Sequence, residues 1–71
     1  MKKNKFEIID IAKAGASLVL DASKFNKFEL VDIASALQPN CTLQLTGCDS
    51  KNKFELIDIA KAAPGKVIFS A

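Results

Sequence analysis

The sequence predicts an α/β fold of three helix–strand repeats, with a parallel three-stranded sheet and the helices on one face. An eleven-residue segment beginning Asn-Lys-Phe-Glu occurs three times, at residues 4–14, 26–36 and 52–62, and eight of its positions are identical in every copy. A short run of β-favouring residues follows each copy. Strands joined through a helix lie parallel with a right-handed crossover, so we expect a short, solenoid-like, two-layer domain.

Each copy of the segment carries the signals of a helix N-terminus. Its Asn is a favoured N-cap residue, and the Glu three positions later completes a capping box. Apolar residues occupy the second, fourth, fifth, seventh and eighth helical positions, which predicts a wide apolar face. We expect the Phe at the second position of each helix to fill the seams between repeats: Phe6, Phe28 and Phe54.

Gly and Pro residues after each copy predict where the helices end. The predicted helices cover about residues 5–14, 27–37 and 53–63, and the predicted strands cover 17–21, 41–46 and 66–70. The repeats then span residues 4–21, 26–46 and 52–70 of one domain, 1–71. Period-two alternation leaves the middle side chain of each strand on the face away from the helices: Val19, Gln44 and Ile68.

The amino-acid composition argues against polyanion binding and against insertion into a membrane. The 71 residues have a net charge of +2, which is too small to indicate a polyanion partner by itself. All ten basic residues are Lys, so the bidentate contacts that Arg makes with phosphate are missing. No apolar run approaches the ~18 residues of a membrane span, and the segment after Met1 is amphipathic rather than a signal peptide. We therefore expect a cytoplasmic protein that does not enter membranes.

Catalytic and metal-binding patterns are missing from the sequence. It contains no His, which is the usual base at neutral pH, and no Gly-rich phosphate loop. We predict no catalytic residue, no cofactor, no metal and no small-molecule substrate. Three Asp recur at one helical position, and we expect them to face solvent: Asp10, Asp32 and Asp58. Lys13 and Lys61 can pair with two of them, Asp10 and Asp58, from three residues further along the helix.

The two cysteines are predicted to be free. Cys41 and Cys48 are seven positions apart, and an extended chain of that length separates their Cα atoms by roughly 20 Å. A disulfide needs less than about 7 Å between the Cα atoms. We expect two largely buried thiols, and two Cys without His make a poor metal site.

The middle repeat resembles a leucine-rich repeat. Residues 43–48, Leu-Gln-Leu-Thr-Gly-Cys, are similar to the L-x-L-x-x-N/C core of that family, and residues 18–23, Leu-Val-Leu-Asp-Ala-Ser, match it more weakly. The helical sequence from Ala34 to Leu37, followed by Asn40, resembles the ribonuclease-inhibitor type of leucine-rich repeat. The family's leading Leu is replaced at all three places. The resemblance implies protein binding on the exposed sheet face and a buried position for Cys48.

The sequence favours a non-enzymatic module for protein interaction or self-assembly, which acts through its open sheet face or a strand edge. The predicted surface contains Val19, Gln44, Val67, Ile68 and Phe69. We expect the partner to be a protein, most simply a second copy of the chain in a homodimer. The contact can use the helix flanks, the sheet face or the sheet edge, and the sequence does not choose between them.

The alternative function is binding of an anion or nucleic acid. Each helix begins with a Lys at its positive end, where backbone amides favour anions. Stacked helices would place these residues on one edge as a Lys ridge, which consists of Lys3, Lys5, Lys27, Lys51 and Lys53. A Glu in the first turn of each helix opposes this charge, so nucleic acid is the less favoured partner.

Overall fold

The computed structural model describes residues 2–71 and contains three α-helices that alternate with three strands. The order is α1 (Lys5–Lys13), β1 (Leu18–Asp21), α2 (Lys27–Ser35), β2 (Leu43–Thr46), α3 (Lys53–Ala62) and β3 (Val67–Phe69). Single-turn 3₁₀ helices follow the first two strands, at Ala22–Lys24 and Cys48–Ser50. The predicted elements are all present, and each is one or two residues shorter than expected.

The helices begin where the capping boxes predict. In α2, Asn26 Oδ1 accepts from the Glu29 amide at 2.9 Å, and the Asn26 amide donates to Glu29 Oε1 at 2.9 Å. The same reciprocal bonds close α1 and α3. Two amides that a helix N-terminus would leave without partners are thereby satisfied in every unit.

The three strands form one parallel sheet in the order β1-β2-β3, so the predicted fold class is confirmed. Leu18 pairs with Leu43 and Leu43 with Val67, and one residue further along Val19, Gln44 and Ile68 share a line across the sheet. This register places equivalent residues of the three units side by side.

The core lies between the sheet and the helices. The inward residues of β1 and β2 alternate with exposed or half-buried ones along each strand. The largest fully buried side chains come from all three helices and from β2: Ile8, Leu30, Ile33, Leu43, Leu45 and Ile59. The central strand is the best buried because it has a neighbour on both sides.

The expectation that the Phe row fills the seams is wrong. Phe6, Phe28 and Phe54 are 70–71% exposed. Each is the second residue of its helix, two before a position that is fully buried in α1 and α2, so at about 100° per residue the two side chains point about 160° apart. The Phe side chains therefore lie on the outer surface, away from the sheet.

The predicted ion pairs within helices are also wrong. Asp58 pairs with Lys27 of α2 at 3.0 Å, and Asp32 pairs with Lys5 of α1 at 2.9 Å. The Lys at the start of α1 and the Lys at the start of α2 each reach across a seam and bind the sixth residue of the next helix. Across residues 2–71, Lys13 and Lys61 make no salt bridge with these carboxylates.

Candidate functional site

Two exposed apolar side chains, with a polar one between them, form a row across the open face of the sheet. Val19 and Ile68 are 62% and 50% exposed, and half-buried Gln44 lies between them in register. Ser17 and Thr42 flank this row at one end, where the Thr42 amide donates to Ser17 Oγ at 3.0 Å. The structure thus brings together the three residues that strand alternation predicted for this face.

The outer edge of β3 is the second candidate surface. Val67 and Phe69 occupy the same register positions as Leu43 and Leu45, which are fully buried. Val67 is only half-buried, and Phe69 is 37% exposed. An edge position alone does not account for the difference, because Leu18 and Leu20 on the other edge strand, β1, are buried. Helices both precede and follow β1 in the chain, whereas in residues 2–71 β3 has only the preceding α3. All five residues predicted for the interaction surface therefore lie on the open face or at this edge.

The Lys ridge is partly neutralised. Lys5 and Lys27 are half-buried and are held in the salt bridges to Asp32 and Asp58. Lys3 and Lys53 are exposed, and Lys51 is half-buried. Two of the five Lys in the predicted ridge are therefore neutralised by carboxylates.

Aromatic rings line the same end of the helices, and sequence reasoning missed their exposure. Each first-turn Lys ammonium lies over the ring of the Phe that follows it, at 4.7–5.2 Å from the ring centroid. Such cation–π contacts are worth about 0.5–1 kcal/mol at exposed sites. The position of Phe on the helical wheel, opposite the buried fourth position, is the sequence signal that identifies this row.

An open cleft of about 420 Å³ lies beside the end of β1. Its lining includes Lys3, Lys24, Phe25 and Asp21. The Ser23 hydroxyl donates to Asp21 Oδ1 at 2.7 Å and the Ser23 amide donates to the same atom at 2.9 Å, and these bonds lower the pKa of the Asp21 carboxyl. The Asp21 carboxylate caps this turn, so we interpret the cleft as the surface of the turn and not as a binding site.

Both cysteines are free and buried, as predicted. Cys41 Sγ donates to the Gly15 carbonyl at 3.0 Å, and Cys48 Sγ donates to the Leu45 carbonyl at 3.2 Å. Between residues 2 and 71, no three His, Cys, Asp or Glu side chains cluster closely enough to hold a metal ion. No helix in that range has the length and apolar character needed to cross a membrane.

Comparison with protein-family models, with curated proteins and with solved structures finds no match to this chain.

Proposed function

We propose that this protein is a non-enzymatic interaction module that assembles with other protein chains, in the first place with itself, through its open sheet face or a strand edge. The observation that carries the proposal is the exposure of Val19 and Ile68 on the sheet face, together with that of Phe69 at the adjoining edge. Ile68 and Phe69 adjoin each other on β3, and Val19 lies on the same face as Ile68, across the half-buried Gln44 of β2.

Association would stabilise a small domain. Complete burial of a Val or Ile side chain is worth about 1.5–3 kcal/mol, so covering the exposed half of Val19 and Ile68 would contribute about 1 kcal/mol each. A chain of this length buries a smaller share of its surface than larger domains do. Binding to the folded state alone adds directly to its stability.

The experiment is sedimentation equilibrium of the 71-residue chain across the micromolar range. We expect the average mass to rise with concentration and to change little with salt. Ile68→Lys should weaken an assembly that uses the face, and Val67→Pro should block pairing through β3. Ser35→Lys is the matched control, because the other two helices already carry Lys at that position. A single-chain mass at high micromolar concentration, with a cooperative melt, would overturn the proposal.

A second candidate function is binding of an anionic strand along the Lys ridge. The observation in its favour is the exposed Phe row, because aromatic faces beside Lys are the features that single-stranded nucleic acids use. The test is titration of a fluorescent single-stranded oligonucleotide at low and moderate salt. Binding that falls steeply with salt and with Lys53→Ala would support this function, and binding that neither change affects would exclude it.

A further inference from the structure

We propose that copies of this chain associate head to tail, so that the next copy continues the sheet and the helix layer of the first. The head is the open edge of β1 with the adjoining flank of α1, and the tail is the open edge of β3 with the adjoining flank of α3. An ion pair between Lys53 of one copy and Asp10 of the next spans the contact. This inference rests on the proposed self-assembly and specifies its interface.

The ion pairs inside the chain follow one rule. The first residue of a helix binds the sixth residue of the next helix, as in Lys5 with Asp32 at 2.9 Å and Lys27 with Asp58 at 3.0 Å. Under this rule Lys53 needs an Asp from a following helix, and Asp10 needs a Lys from a preceding one. Neither has such a partner within residues 2–71. A positive charge at the tail therefore matches a negative charge at the head.

The helix flanks show the same complementarity. At the fifth helical position Val31 is half-buried, whereas Ile57 is 40% exposed on α3. The fifth position lies about 40° around the helix from the first, whose Lys27 reaches α3, so it faces the following helix. At the seventh position Ile33 and Ile59 are fully buried, whereas Ile11 on α1 is only half-buried. The tail therefore exposes one side of an inter-helix seam, and the head exposes the other side.

At the tail, the open edge of β3 presents backbone amide and carbonyl groups that can pair with another parallel strand. The Leu43 amide donates to the Lys66 carbonyl at 2.8 Å, and the Ser70 amide donates to the Leu45 carbonyl at 2.8 Å, so Leu43 and Leu45 direct their backbone groups at β3. The same two bonds show that Lys66 and Ser70 direct their backbone groups at β2. Successive residues of a strand direct these groups to opposite sides, so the amide and carbonyl of Val67 point away from β2.

The head of the sheet offers the matching groups. The Leu18 amide donates to the Thr42 carbonyl at 2.9 Å, which directs the backbone of Leu18 at β2. By the same alternation, the amide and carbonyl of Val19 face the open side of β1. Val19 occupies the register position of Ile68, so its backbone can bind the tail edge as Ile68 binds β2.

The geometry distinguishes this contact from a two-fold dimer. Asp10 lies on α1 at the head and Lys53 on α3 at the tail, so a two-fold contact, which joins one edge to a copy of itself, cannot bring them together. A head-to-tail contact is heterologous and leaves a free head and a free tail after every addition. We expect association that continues beyond the dimer as concentration rises.

The first test blocks each edge separately and compares masses by sedimentation velocity. Val19→Pro removes an amide that faces the open side of the head, and Val67→Pro does the same at the tail, and Pro is tolerated at such edge positions. Each variant alone should stay a monomer, because either the head or the tail is missing. A mixture of the two should form a one-to-one dimer that does not grow, since only one productive contact remains.

The outcomes separate the inference from the proposed function. If both Pro variants still assemble alone while Ile68→Lys does not, the sheet face is the interface and the head-to-tail arrangement is overturned. If Val19→Pro assembles alone while Val67→Pro does not, β3 pairs with itself and the arrangement is also overturned. If the parent chain never associates, the proposed self-assembly fails together with the inference.

The second test reverses charges and needs no change in either strand. Lys53→Asp and Asp10→Lys should each weaken association about two- to tenfold, as expected for an exposed ion pair turned into a like-charge contact. The double variant should return to within about twofold of the parent, because the pair is restored with opposite polarity. Lys13→Asp, which makes the same charge change on α1, is the control. Failure of the double variant to recover would overturn the pairing.

Discussion

Gly47 lies against the carboxylate of Asp21, so the turn after β2 is seated on the turn after β1. A Cβ atom at residue 47 would meet Asp21 Oδ1 at 2.7 Å, and Gly47 has a φ of +64°. The same oxygen accepts from the amide and the hydroxyl of Ser23. The contact thus combines a left-handed backbone with a close approach, and only Gly satisfies both.

We predict that Gly47→Ala lowers the free energy of unfolding by about 2–4 kcal/mol, from the left-handed conformation and the displaced carboxylate together. Gly65→Ala is the matched control, because Gly65 also has a positive φ, of +76°, and its Cβ would meet nothing within 4 Å. The control should lose only about 1–2 kcal/mol. Urea melts measure the free energy of unfolding of both variants. Equal decreases would show that the contact between Gly47 and Asp21 does not contribute to stability.

We predict a pH dependence that originates at Asp21. The hydrogen bonds from Ser23, followed by the charges of Lys24 and Lys51, hold the pKa of this carboxyl below its ordinary value of 3.8. The folded state then binds fewer protons than the unfolded state, so the stabilisation is present above pH 3.8 and is lost as pH falls through the folded pKa. NMR titration of the carboxyl carbon should show the lowered value, and Ser23→Ala should raise it. An unchanged pKa in that variant would contradict the assignment.

We predict that replacing each capping Asn by Ala costs about 1 kcal/mol of stability. Asn26→Ala should cost the most, since α2 has a helix on each side and fraying at its start disturbs both seams. Asn40→Ala, an exposed residue in the turn before β2, should cost much less. If the urea midpoint of Asn4→Ala is lower than that of Asn26→Ala, the proposal that α2 stabilises both of its neighbours is wrong.

We predict that the Phe row contributes little to folding. Phe28→Ser should change the free energy of unfolding by about 1 kcal/mol or less, which is the order of one exposed cation–π contact. Leu30→Ala, two residues further along the same helix and fully buried, should cost about 2–5 kcal/mol. Thermal and urea melts of the two variants compare them directly, and similar losses would place Phe28 in the core of the protein in solution.

The local elements were predictable because their causes lie within a few residues. Asn26 and Glu29 specify the start of α2 by bonding each other's amides, and neither needs a distant partner. The candidate surface was predictable for a related reason. Strand alternation and a right-handed crossover suffice to place Val19 and Ile68 on the side away from the helices.

The sequence by itself determined the elements, the parallel sheet and the open face, since short-range bonding and chain connectivity decide these features. Only the tertiary structure decided that Lys27 binds Asp58 rather than leaving Asp58 to Lys61, and that Lys5 likewise binds Asp32 across the seam. These outcomes depend on the spacing and rotation of neighbouring helices, which packing of side chains such as Leu30 on the sheet sets. An ion pair between residues 31 positions apart has no local signal, because its distance exists only after the helices are packed.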